Sequence, residues 1–216
     1  MKTELVFILD KSGSMAGLEA DTIGGFNAML KKQKKEEGDA IVTTVLFDHQ
    51  YDVLHDRINV KGISSLTEED YEVGGSTALL DAIGFTIQKI INVQKRTSEE
   101  ERAEKVLFVI TTDGMENASR EFTGSKIKTM VQHQKERYGW EFLFLGANID
   151  AVSTAARFGI EEDFAVDFHA DAVGTQVNYE VVSEAVSNIR TGQKIDRSWK
   201  QEIERDYNRR EPRGRF

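Results

Sequence analysis

Leu5-Val6-Phe7-Ile8-Leu9-Asp10-Lys11-Ser12-Gly13-Ser14 is the stretch whose reading decides the fold. Five apolar residues run without interruption and stop at a carboxylate. A strand with one wet face alternates apolar and polar residues, so this run reads as a strand buried on both faces. Such a strand delivers its next polar group, Asp10, to the C-terminal edge of a sheet. Beyond it a carboxylate and two hydroxyls stand at alternating positions, Asp10, Ser12 and Ser14, and Gly13 eases a turn tight enough to wrap them around one point. Their oxygens are hard ligands of the kind that Mg²⁺, Mn²⁺ or Ca²⁺ accept. Serine and aspartate are equally at home as helix N-caps after a strand. On this loop alone the two readings stand level.

Outward from it, elements alternate. Ala20 to Glu37 carries Ile23, Phe26 and Met29 or Leu30 at helical spacing, with Gly38 after it. Ile41 to Phe47 reads as the next strand, with Tyr51 to Leu54 as a hairpin partner nearer the sheet edge. Thr77 to Val93 is expected to be a helix on the stripe Leu79, Leu80, Ile83, Ile87, Ile90 and Ile91, and the charged run Lys95 to Lys105 an exposed turn. Val106 to Thr111 is a second central strand. Ile127 to Tyr138, Ile149 to Phe158 and Tyr179 to Ile189 read as helices, Trp140 to Leu145 and Phe164 to Phe168 as strands, and Trp199 to Arg210 as a weaker final helix. Alternating strands and helices imply a mostly parallel sheet covered on both faces, whose ligand site lies beyond the strands' C-terminal ends. Asp10 and Asp113, each following a buried strand, are therefore expected at one rim.

Two further pieces reach that rim. Gly74-Gly75-Ser76-Thr77 sets a hydroxyl where a helix begins, and Thr111-Thr112-Asp113-Gly114 sets a second carboxylate past a strand. Thr77 could simply cap its helix, and Asp113-Gly114 could be a turn. Glu116 and Asn117 are close enough in sequence to line the rim, with ordinary surface roles as the expectation.

With these residues in place the chain resembles the von Willebrand factor type A family, which is marked by an Asp-x-Ser-x-Ser loop after its first strand, a distant threonine and an aspartate after its fourth strand. Here Asp10, Ser12 and Ser14 match the loop, Thr77 in Gly-Gly-Ser-Thr-Ala-Leu the threonine, and Asp113 in Thr-Thr-Asp-Gly the aspartate. The resemblance spans residues 3 to 190. It implies a doubly wound, Rossmann-like α/β fold, a six-stranded sheet with one antiparallel edge strand, and a metal-ion-dependent adhesion site holding magnesium or manganese. It also implies a protein partner that supplies an aspartate or glutamate to the ion. Ser12, Ser14 and Thr77 are expected as direct ligands, with Asp10 and Asp113 direct or acting through water. Lacking cysteine and a leader, the chain is more similar to stand-alone intracellular bacterial or phage members than to extracellular adhesion domains, so a cytoplasmic location is expected.

Composition sets the limits. The absence of cysteine excludes disulfides and thiolate metal sites. No segment approaches membrane-spanning length. A net charge of −9 disfavours nucleic acid as a partner. Residues 1–190 are expected to form one domain and 191–216 an extension, helical in part, ending in the cluster Arg205, Arg209, Arg210, Arg213 and Arg215. That cluster is either a solvated end or a docking arm for an acidic partner. His49, His55, His133 and His169 show no metal-ligand spacing and read as surface or structural residues. Nucleophile-elbow, phosphate-loop and dinucleotide patterns are absent, and Gly24-Gly25 with Gly13 does not complete the last of these. The expected function is thus metal-dependent protein binding and not catalysis. Metal-assisted phosphoester hydrolysis is the alternative, with Lys11 beside the site yet expected to point away, and a structural domain with a vestigial site is the other.

Overall fold

The computed structural model describes residues 1–210, so Arg213 and Arg215 of the C-terminal cluster lie outside the described residues. Six strands and six α-helices follow in the order β1 (Lys2–Asp10), α1 (Glu19–Gln33), β2 (Asp39–Phe47), β3 (Tyr51–Asn59), α2 (Leu79–Arg96), β4 (Lys105–Thr112), α3 (Gly124–Tyr138), β5 (Glu141–Gly146), α4 (Ala151–Arg157), β6 (Ala165–Asp167), α5 (Ala172–Arg190) and α6 (Gln201–Arg210). The sheet order is β3-β2-β1-β4-β5-β6, with every neighbouring pair parallel except β2 and β3. This is the doubly wound sheet with one antiparallel edge strand that the sequence led us to expect.

The uninterrupted apolar run earns its central place because both faces of β1 are covered. Leu5, Phe7 and Leu9 point into one core with Phe26 and Met29 of α1 and Val182 and Val186 of α5. Val6 and Ile8 point into the other with Ile83 and Ile87 of α2 and Ile127 and Val131 of α3. Polar Glu4 is also fully buried on β1. Arg57 of β3 donates to it from Nε at 2.7 Å, and Gln94 of α2 from Nε2 at 2.8 Å.

Several boundaries differ from expectation, those of α1 and α5 for identifiable reasons. Helix α1 ends at Gln33, short of Glu37, because the Arg190 guanidinium takes the carbonyls beyond it: Nη1 donates to Gln33 at 2.7 Å and Nη2 to Glu37 and Gly38 at 3.1 Å. Helix α5 begins at Ala172 instead of Tyr179, where the Asp171 carboxylate caps it by accepting the Gly174 N–H at 2.8 Å. Strand β3 runs on to Asn59 through an irregular register against β2. Between α1 and α5 the two helices meet at Gly25, where a Cβ would fall 2.3 Å from the Tyr179 ring. Gly25 is thus a helix-packing residue, whereas a Cβ on Gly24 would meet nothing within 4 Å.

The segment after Arg190 continues the same layer. Ile195 and Ile203 are buried in the core that α1 and α5 share. A 3-10 turn at Arg197–Lys200 leads into α6, and buried Lys200 donates from Nζ to the carbonyls of Glu162 at 2.7 Å and Ala165 at 2.8 Å. Of the C-terminal arginines, Arg205 pairs with Glu202, and Arg210 bridges Asp206 and Asp171. No described helix is long and apolar enough to cross a membrane.

Candidate functional site

Adjacent strands β1 and β4 end side by side, with Leu9 paired to Thr111, so their following residues share one rim. There Thr112 donates from Oγ1 to Asp10 Oδ2 at 2.6 Å, and the Ser12 N–H donates to Asp10 Oδ1 at 2.7 Å. The Asp10 carboxylate is therefore the pin that folds the loop back on itself. The Gly13 N–H donates to the Gly75 carbonyl at 3.0 Å, and the Gly74 N–H to the Lys11 carbonyl at 2.9 Å. These two bonds clip the 74–77 loop alongside the 10–14 loop. Gly75 takes a φ of 72°, and a Cβ there would lie 2.3 Å from His49 Nδ1, so the clip needs a glycine.

The clip brings all five expected residues together. Thr77 Oγ1 donates to Ser12 Oγ at 3.0 Å, Ser12 Oγ lies 3.2 Å from Ser14 Oγ, and Ser14 Oγ donates to Asp113 Oδ1 at 2.5 Å. Asp10, Ser12, Thr77 and Asp113 are buried, at most 4 % exposed, while Ser14 faces solvent. Asp113 Oδ2 is buried without any hydrogen-bond partner. A buried carboxylate oxygen with no donor calls for a cation or a proton. Accordingly, burial pushes the Asp10 carboxyl above its ordinary value, with the negative charge of Asp113 adding to the effect against the hydrogen bonds from Ser12 and Thr112. Burial likewise raises Asp113, opposed by its bond from Ser14. Hard oxygens from two carboxylates and three hydroxyls fit a divalent cation of the magnesium, manganese or calcium type. Among the described residues no three His, Asp or Glu side chains gather as a metal-holding group, so this rim, with two carboxylates, relies on hydroxyl oxygens for the rest of its donors.

Several supporting residues escaped the sequence reading. Tyr71 donates its hydroxyl to the Asp10 carbonyl from within the long 60–78 connection between β3 and α2, where no motif announced it. Thr112 was quoted only as a neighbour of Asp113. Glu116 and Asn117, expected at the surface, instead fix the loop after Asp113. Asn117 Oδ1 accepts the Thr77 N–H at 2.9 Å, and the Asn117 N–H returns to the Thr77 carbonyl at 3.0 Å. The Glu116 carboxylate accepts the Leu80 N–H at 2.9 Å in the first turn of α2, where the helix dipole favours an anion. Lys11 turns away from the site, as expected, and its Nζ lies 2.8 Å from Asp52 on β3. His55, His133 and His169 contact Thr44, Tyr138 and Tyr207, away from the five residues. His49 lies over Gly75 at the edge of the rim.

No protein-family model matches the sequence, and no curated protein matches it. Solved structures do match its fold. The vWF domain of the type V pili tip protein Mfa5 from Porphyromonas gingivalis aligns with a TM-score of 0.60 at 11 % identity, covering 89 % of this chain and 96 % of that one. Proximal thread matrix protein 1 from the mussel byssus, solved with a zinc-occupied MIDAS motif, aligns at 0.56 and 12 % identity over 86 % of this chain and 46 % of that one. Manganese-loaded TRAP protein from Plasmodium vivax aligns at 0.55 and 17 % identity over 82 % and 72 %. The chain spans about half the length of the mussel protein. It has the von Willebrand factor type A fold.

Proposed function

We propose that this chain uses its type A fold as a divalent-cation-dependent protein-binding module, and that the occupant of its rim is a carboxylate from another protein. The observation that carries the reading is the convergence of Asp10, Ser12, Ser14, Thr77 and Asp113 with a buried Asp113 oxygen left without a donor. Ser12, Ser14 and Thr77 would hold the ion directly, and Asp10 and Asp113 would act directly or through water. Because three of the five are neutral, a bound Mg²⁺ or Mn²⁺ keeps enough positive charge to attract an anionic oxygen. The zinc and manganese carried by two proteins of the same fold support a divalent ion in general.

The chain's own residues do the positioning. Asp10 anchors the loop backbone through the Ser12 N–H, and Asn117 holds the Thr77 backbone on both sides, so the hydroxyls are set without help from a partner. Ser14 is the one member open to solvent, and it marks the side from which a partner oxygen arrives. The proposal includes no catalytic step, since Lys11, the neighbouring base, is committed to Asp52. A cytoplasmic setting, in keeping with a chain free of cysteine, belongs to the proposal.

The test has two parts. Calorimetric titration of Mg²⁺ and Mn²⁺ into the protein should show saturable binding that Asp113→Asn weakens by about tenfold or more, because the unpartnered oxygen is replaced by an amide. A random heptapeptide library with a fixed central Asp should then be retained by the Mg²⁺-loaded protein and released by EDTA, whereas the same library with central Asn should wash through. Saturation by neither metal, or equal retention of the two libraries, overturns the reading.

A further inference from the structure

Beside this site stands a side chain that neither the fold nor the ion explains. Met115 is 74 % exposed, the highest among the large hydrophobic residues of the described chain. It follows Asp113 by two residues, and two residues of chain reach at most about 7 Å. Gly114 between them lies beside the same oxygens, since a Cβ on it would be 3.1 Å from Ser14 Oγ and 3.5 Å from Thr77 Oγ1. An apolar side chain therefore stands in water at the edge of an otherwise polar rim.

A methionine in a wandering loop would mean little, but this loop is stapled down. On its C-terminal side the Glu116 carboxylate takes the N–H groups of Ala118 at 3.0 Å and Ser119 at 2.8 Å as well as that of Leu80. Asn117 and Ala118 both donate backbone N–H groups to the Thr77 carbonyl. Ser119 Oγ accepts the Asp81 N–H at 2.9 Å, and the Asp81 carboxylate accepts the N–H groups of Arg120, Glu121 and Phe122. On its N-terminal side Gly114 leads straight back to Asp113 and β4. The first turn of α2 thus clasps residues 116–122, and Met115 is held at the crest with its backbone already ordered. A side chain carried on an already ordered backbone avoids the backbone-ordering cost that weakens contacts made by mobile loops, and only its own rotamer freedom is lost on burial. Methionine also adapts its shape to irregular apolar partners.

We infer that Met115 is the specificity-determining contact of the site, and that the protein segment it selects carries an apolar side chain one or two positions from the aspartate or glutamate that reaches the ion. This rests on the metal-dependent reading above and deepens it. The spacing follows from geometry: Asp113 to Met115 is two residues on this chain, and a partner segment crossing the rim places a side chain over each when its own two are one or two apart. The acid decides whether a segment binds at all. The apolar neighbour decides which acidic segment binds.

The experiment uses the fixed-Asp heptapeptide library in Mg²⁺, panned in parallel on the wild-type chain and on Met115→Ser. High exposure makes the substitution structurally neutral, which an unchanged melting temperature checks. Wild type should enrich Leu, Ile, Phe or Met within two positions of the fixed Asp, and Met115→Ser should not. The best wild-type peptide should bind Met115→Ser roughly tenfold more weakly, the loss expected when the apolar burial disappears. Its variant with Gly at the apolar position should bind both proteins equally. EDTA-releasable retention without apolar enrichment, or enrichment that Met115→Ser leaves unchanged, overturns the role of Met115 while leaving the metal reading in place. Failure of the fixed-Asp library to exceed the fixed-Asn library overturns both.

Discussion

Both oxygens of Asp10 are engaged by donors, whereas Asp113 keeps one buried oxygen without any, and this difference separates what their substitutions should do. Asp10→Ala orphans the buried Ser12 N–H and leaves the Thr112 hydroxyl only its longer bond to the Gly114 carbonyl, and is expected to cost about 1–3 kcal/mol. Asp10→Asn keeps an acceptor for Ser12, lets the Thr112 hydroxyl turn and accept, and removes a charge that burial disfavours. The metal-free Asn variant should therefore melt above wild type at pH 7 while binding Mg²⁺ at least about tenfold more weakly. The sign with pH follows. A folded-state value raised above the ordinary 3.8 means that the folded protein holds the Asp10 proton more tightly than the unfolded chain. That contribution is complete below 3.8 and lost as pH rises through the folded value. The advantage of Asp10→Asn should then shrink as pH is lowered from 7 toward 3.8, which paired thermal melts without metal will read. An advantage that does not vary over that window would contradict the account. Thr77→Ala removes only the hydroxyl that donates to Ser12, because the backbone of Thr77 carries the bonds to Asn117 and Ala118. Its Mg²⁺ affinity should fall while its unfolding free energy changes by no more than about 1 kcal/mol.

Between elements, the antiparallel edge strand β3 is held by its ladder to β2 and is tied to the middle of the sheet by a buried ion pair. Glu4 lies on β1 with its side chain fully out of water, and Arg57 of β3 reaches it across β2. Breaking a buried pair leaves an uncompensated charge, at a cost of about 3–5 kcal/mol. Arg57 also holds a left-handed φ of 53°, which asparagine tolerates better than most residues. Arg57→Asn therefore removes the guanidinium without adding backbone strain, and urea unfolding should still show it to be destabilised by about that amount. Adding Glu4→Gln should restore a large part, since no buried charge is then left unpaired. Independent, additive losses in the double variant would mean that Glu4 and Arg57 are not energetically coupled.

For the whole molecule, the question is how the rim depends on the distant C-terminal end. Helix α6 and the turn before it cover edge strand β6 through Lys200, and Trp199 adds an indole N–H bond to the Asp163 carbonyl at 2.8 Å. Ending the chain at Asp196 removes these bonds, the buried Ile203 and the Arg210 link to the α5 cap. Stability should drop by several kcal/mol, with about 2 of it from Ile203 alone. The five rim residues all precede this segment, so the truncated chain, studied below its lowered melting temperature, should bind Mg²⁺ as the full chain does. A folded truncation with weakened metal binding would show instead that the two ends of the molecule are coupled.

The sequence by itself determined the class of fold, which rests on local chemistry, and offered five candidate residues that the family resemblance joined into one set. An apolar run such as Leu5 to Leu9 has one stable home, between two covered faces, and a carboxylate that ends such a run must emerge at the sheet's C-terminal edge. What the sequence left unread depends on residues far apart in the chain. The end of α1 is set by Arg190, some 150 residues away; the Asp10 carbonyl is met by Tyr71; and the loop bearing Met115 is held by the first turn of α2. None of these leaves a periodic or compositional trace, since a hydrogen bond across the core needs only one suitable side chain at one place. Only the tertiary structure could decide that Asp113 keeps an oxygen without a donor, because that is a property of every neighbour at once.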